Sequence, residues 1–74
     1  MKINYETVQT KNDLVVFLRA LRHDLNTHPN EWENLTLEMF LEAMESWTED
    51  TDSLPASPEW KSFANILLAG KLYE

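Results

Sequence analysis

A single glycine, Gly70, in a chain of 74 residues closes off most architectures built on tight turns. Hairpins and sandwiches need glycine wherever the backbone turns through positive φ, so one glycine and three prolines argue against an all-β chain. The same scarcity removes the P-loop and the Gly-x-Gly-x-x-Gly fingerprint, since neither can be written with one glycine. Cysteine is absent, which excludes disulfides, thiol nucleophiles and cysteine-based metal sites. A chain this short must then be held by packing, and its three tryptophans and three phenylalanines are the main supply. At 43% hydrophobic and 26% charged, the balance is that of a globular protein and not a disordered one.

Helical punctuation recurs three times. Thr10 is placed to cap a helix over residues 11–25, with the Asp13 carboxylate near the exposed amides and the positive end of the dipole. Leu14, Phe17, Leu18, Leu21 and Leu25 share its apolar face. Val16 and Ala20 lie off that stripe, either covered by the N-terminal segment or left as a small apolar strip. Pro29 turns His28 away from helical geometry and ends the element.

Thr36 predicts the start of a second helix over 37–49, with Leu35 and Phe40 spaced as a hydrophobic staple. Its apolar stripe is Leu37, Phe40, Leu41, Met44 and Trp47. In the third, over 58–69, Ser57 is the expected cap and Pro58 the first helical residue. Trp60, Phe63, Ala64 and Leu67 form its expected buried face, and Gly70 falls where a left-handed helix terminator belongs. Ile3, Tyr5 and Thr7 alternate like a strand but have no partner strand, which predicts an extended N-terminal arm across the helices. The expected fold is all-α, a small three-helix bundle with residues 1–74 forming one domain.

Charge is distributed unevenly. The net charge is −7, yet between Arg22 and Lys61 there are ten acids and neither lysine nor arginine. Four of the acids, Glu38, Glu42, Glu45 and Glu49, follow i, i+4, i+7, i+11 spacing and fall within roughly 40° of one line down a helix surface. Two readings stand. The line is a solvated helix face, or it is an acidic recognition surface, since like charges at i,i+4 oppose the helix without local return. On the second reading the partner is a basic protein surface, with Trp32 as an anchor beside the acids. Trp32 also has a plainer reading, as a cap over the end of the bundle, while Trp47 and Trp60 are expected in the core. Phosphate backbones and anionic lipids are repelled by such a segment, so neither nucleic acid nor membrane is expected as a partner.

No motif in the chain carries catalytic chemistry. A straight line of carboxylates does not wrap a cation as a loop does, and Asp50-x-Asp52 lacks the glycine turn and twelfth-position glutamate of an EF-hand. His23 and His28 are too few for a metal site and are expected at the surface. No serine is presented as a nucleophile. The expectation is a protein that is not an enzyme, with no cofactor and no metal. The first ten residues lack the apolar core of a secretory signal, and no apolar stretch is long enough to span a bilayer, which favours the cytoplasm.

At NEWENLTLEMFLEAMESW and PEWKSFANILLAGKLYE the chain resembles an uncharacterised family of small bacterial proteins. That family shares a Trp-Glu-Asn-x-x-Leu element, a following Phe/Leu-rich helix and a terminal Gly-Lys-x-Tyr-Glu. The resemblance runs from Val8 onward and implies no activity. The leucines of the first helix, followed by Glu33-Asn34-Leu35 and a helix reaching Trp47, are also similar to the first half of barstar, an acidic ribonuclease inhibitor. The inhibitory acids of that family would fall on Thr36 and Phe40, which carry no charge, so no barstar residue transfers. The expected role is a small acidic protein-interaction domain of immunity or inhibitor type. The alternative is a structural domain that self-associates through Val16 and Ala20, the acids serving only solubility; the expected state is a monomer or weak homodimer.

Overall fold

The computed structural model describes residues 4–52 and 54–73. Ile3, Ser53 and Glu74 lie outside the described residues. Three helices, α1 (Lys11–Thr27), α2 (Leu37–Asp50) and α3 (Trp60–Leu72), account for most of them, joined by loops with single 3-10 turns at Tyr5–Thr7 and Pro29–Glu31. No strand forms among the described residues. The all-α, three-helix expectation holds.

The first two helices begin where their local chemistry places them. Thr10 Oγ1 accepts the Asp13 amide at 3.1 Å, while the Asp13 carboxylate accepts the Gln9 amide at 3.1 Å. Thr36 Oγ1 accepts the Met39 amide, also at 3.1 Å. Each bond satisfies a donor that the helix start would otherwise leave open. Beyond its expected end α1 gains two residues, and the His28 amide donates to Asp24 O at 2.7 Å before Pro29 turns the chain.

In α3 both predicted boundaries move. Ser57 and Pro58 precede the helix, whose cap is Glu59 in extended geometry with no side-chain cap bond. Gly70 does not terminate it either. No described glycine has positive φ, and the helix continues to Leu72. What Gly70 supplies is the absence of a side chain. A Cβ there would lie 2.6 Å from Cε2 of Phe40, deep inside van der Waals contact.

That close approach reflects the architecture. Helix α3 packs against α1, α2 and the N-terminal 3-10 turn, whereas α1 and α2 do not pack closely on each other. A central helix brings its neighbours nearest with small residues, and the buried positions of α3 are Ser62, Ala64, Ala69 and Gly70. The predicted face is corrected accordingly, since Trp60 and Phe63 are exposed and make an edge-to-face pair with each other at 5.9 Å. Only the flanks of α1 and α2 that meet α3 are covered. Phe17, Leu21 and Asp24 of α1 are buried while Leu18 and Leu25 are exposed. On α2, Ala43 is buried with Phe40, Met44 and Trp47 half-buried, and Leu37 and Leu41 are exposed. Leu35 is exposed as well, so the expected staple does not bury it.

The core gathers Val8, Phe17, Leu21, Trp32 and Ala64, with Tyr5, Leu14, Phe40, Leu67 and Leu68 packed around them. The N-terminal arm is a 3-10 turn followed by Val8, and not the wholly extended segment expected. Asn4 caps the turn, its Oδ1 accepting the Glu6 amide at 2.9 Å. Val16 is exposed and Ala20 half-buried, which reduces the predicted Val16–Ala20 strip to one exposed residue.

Replacing Gly70 by alanine adds a residue that favours helix by about 1 kcal/mol. Forcing its methyl against the Phe40 ring, which stacks on Trp32, costs more. The expected result of Gly70→Ala is a net loss of about 1–2 kcal/mol in urea unfolding. In a Phe40→Leu background the same change becomes neutral or stabilising. Equal effects in both backgrounds would rule out ring contact as the cause.

Candidate functional site

The end of α1, the loop after it and the last turn of α3 meet around one carboxylate. Asp24 is only 4% exposed, and its Oδ2 accepts two bonds, from Lys71 Nζ at 2.7 Å and from Trp32 Nε1 at 2.8 Å. The Lys71 ammonium also stands 5.6 Å from the Trp32 ring centroid, within cation–π range. Bonding from Lys71 holds the Asp24 carboxyl below the usual carboxylate range; burial opposes this, and the Trp32 bond and the Lys71 and His28 charges add to the lowering. Trp32 in turn stacks on Phe40 at 6.2 Å.

Next to this pair the loop clasps the end of α3 through its backbone. The Glu33 amide donates to Lys71 O at 3.0 Å, and Asn34 Nδ2 donates to Gly70 O at 3.0 Å and Tyr73 O at 2.8 Å. Those carbonyls lie at a helix C-terminus, where intrahelical donors run out. The Tyr73 hydroxyl donates to Asp50 at the end of α2, an acceptor that raises its pKa. Trp32-Glu33-Asn34 and Gly70-Lys71-x-Tyr73 are therefore two halves of one contact. Trp32 is 8% exposed, which corrects its reading as an exposed anchor and fits the reading as a cap over the bundle. Sequence spacing gave no sign that Asp24 is the residue these two segments share.

The four glutamates lie elsewhere. Glu38, Glu42, Glu45 and Glu49 are all exposed on α2, and none forms an ion pair among the described residues. By helical geometry they stand on the side of α2 turned away from α3. Between them and the core runs an apolar strip missed by the sequence reading, which had placed Leu37 and Leu41 inside. Leu37 is 74% exposed and Leu41 53%.

Across from that strip, Leu18 and Leu25 of α1 are exposed, and the space between the helices is a groove of about 390 Å³. Leu21, Trp32, Phe40 and Leu67 form its floor, and Leu35 and Leu37 close the α2 side. Periodicity had assigned these leucines to the core because it counts apolar positions, not the neighbours available to cover them.

One further cluster involves titratable groups. Asp24, His28 and Glu31 bring ligand atoms within 4.8 Å of one another, with His28 Nδ1 3.6 Å from Asp24 Oδ1. His28 Nδ1 is also 2.9 Å from the Thr27 hydroxyl, and the Lys71 ammonium already neutralises Asp24. That arrangement is accounted for by ion pairing and helix termination. Among the described residues no helix is long and apolar enough to cross a membrane.

The chain belongs to a family of unknown function, DUF7660, whose family model matches residues 10–74. No curated protein matches it, and no solved structure does. The match covers all three helices, the clasp and the groove, and leaves the N-terminal 3-10 turn outside.

Because the folded-state pKa of Asp24 is depressed, its contribution to stability is complete above the unfolded value of about 3.9 and is lost as pH falls through the lower folded value. Asp24→Asn leaves Lys71 without its counter-charge and is expected to cost about 3 kcal/mol at neutral pH. The gap to the parent should narrow in denaturant titrations below about pH 4. A gap of constant size across that range would show that the ion pair does not stabilise the fold.

Proposed function

For this member of a family of unknown function, we propose a non-catalytic role as a protein-interaction module whose α2 surface binds a basic protein. An inhibitor or immunity role, in which an acidic surface covers a functional basic one, is the most specific form. The observation that carries the reading is that four exposed glutamates share one rigid helix face and are left without counter-charges among the described residues. Held on a helix, they keep their spacing before the partner arrives, so little ordering cost accrues on binding. Their summed field steers a cationic surface toward α2 and repels nucleic acid and anionic lipid.

Charge gives orientation and encounter rate more readily than tight binding. The exposed leucines beside the glutamates supply the desolvated contact that affinity requires. Trp32, buried against Asp24 and Phe40, supports that surface from beneath instead of touching the partner. The field acts at a distance and the leucines at contact.

Capture from a lysate of the source organism tests this directly. The parent chain should retain a basic protein that is released by high salt and is lost when Glu38, Glu42, Glu45 and Glu49 are all changed to Gln. Retention of the same protein by the four-fold variant would mean that the glutamates serve only solubility.

A further inference from the structure

The charges flanking the groove are sorted by helix. Helix α2 shows its core face first, then the Leu37–Leu41 strip, then the glutamate line. Helix α1 repeats that order with the opposite sign. Leu18 and Leu25 fall beside its core face, and Lys11, Arg19 and Arg22 follow at helical spacing on the outer side. Arg22 itself lines the groove. None of these three bases forms an ion pair among the described residues, although four unpaired acids stand on the other ridge. No ion pair joins the two ridges across the groove among the described residues.

Exposed leucine surface along this face is on the order of 500 Å², at the upper end of what a monomer shows in one patch. An occupant that satisfies it needs an apolar strip flanked by acid on one side and base on the other. This chain has that pattern. A twofold axis running along the groove sets the α1 ridge of one copy over the α2 ridge of the other, twice by symmetry. It also sets leucine strip on leucine strip, and two such faces together reach about 1,000 Å², near the lower bound of a specific interface.

We propose that the α1–α2 groove is the interface of a symmetric homodimer, in which Lys11, Arg19 and Arg22 of each protomer face Glu38, Glu42, Glu45 and Glu49 of its partner. The inference rests on the reading of the glutamate line as a binding surface and names the basic surface it meets. It sets self-association on the leucines that the bundle leaves open, and not on Val16 and Ala20, the alternative read from the sequence.

Complementary charge variants test it. Lys11→Glu, Arg19→Glu and Arg22→Glu together make both ridges acidic; Glu38→Lys, Glu42→Lys, Glu45→Lys and Glu49→Lys together make both basic. All these positions are exposed, and circular dichroism checks that each variant keeps its helices. In sedimentation velocity at about 100 μM the parent should be dimeric. Each variant alone should be monomeric, and their equimolar mixture should restore the dimer, because only the mixed pair sets acid against base on both ridges. Leu37→Lys, at the most exposed leucine, should weaken the parent dimer roughly tenfold or more without loss of helix.

A parent that stays monomeric, variants that dimerise alone, or a mixture that stays monomeric would each overturn the proposal. A monomeric parent that still captures a basic protein through its glutamates would overturn the dimer and leave the binding role standing. A dimer unchanged by the four Glu→Lys changes would overturn this interface and leave the lysate capture to decide whether the glutamates bind a basic protein.

Discussion

The buried carboxylate of Asp24 is the constraint around which this fold is arranged. It is the one charged side chain that the core encloses among the described residues, and it is matched by a cation from α3 and an indole donor from the loop. A buried ion pair contributes modestly to net stability, because desolvation consumes much of the attraction. Its directional demand is stronger. Lys71 reaches Asp24 only if α3 lies at one height against α1, and Trp32 reaches it only if the chain turns after Thr27 as it does. An all-apolar contact would tolerate sliding that this one does not.

Once α3 is fixed at that height, its small residues decide the rest. Ser62, Ala64, Ala69 and Gly70 let α1, α2 and the N-terminal turn approach from different sides. The molecule is consequently flat, 17 Å in its shortest extent against 33 and 26 Å in the others. A bundle so flat covers only one flank of each outer helix. The groove and its leucines follow from this geometry.

Features written in neighbouring residues were legible in the sequence. Thr10 and Thr36 cap helices because their hydroxyls reach amides three residues on, and Pro29 ends α1 by acting on the residue before it. Three helices and the exposed glutamate line could be read for the same reason. Legibility stopped where a distant neighbour decides. Ser57 and Pro58 spell a cap that the chain does not use, and Gly70 looks like a terminator until the Phe40 ring is placed beside it. Tryptophan burial was read only in part. Trp32, in a polar loop, is enclosed because Asp24 gives its indole a partner, whereas Trp60, on an apolar stripe, is exposed because α3 packs with its small face. The leucine groove was hidden by the same limit, since helical spacing identifies a face and not what covers it.

The clasp between Asn34 and the end of α3 has a consequence for the order of events during synthesis. Its bonds join residues 36 and 39 positions apart, and the Lys71–Asp24 bond spans 47. While α1 and α2 are emerging from the ribosome, Asp24 has the Trp32 indole but no cation, and Asn34 has no carbonyl to bond. The cation for Asp24 and the acceptors for Asn34 arrive within one helical turn, Gly70 to Tyr73, after α1 and α2 have been made. Chain closure over such separations is the slow part of forming a small domain. Folding is thereby coupled to the completion of α3, and an early release leaves α1 and α2 linked through Trp32 but without the helix on which both pack.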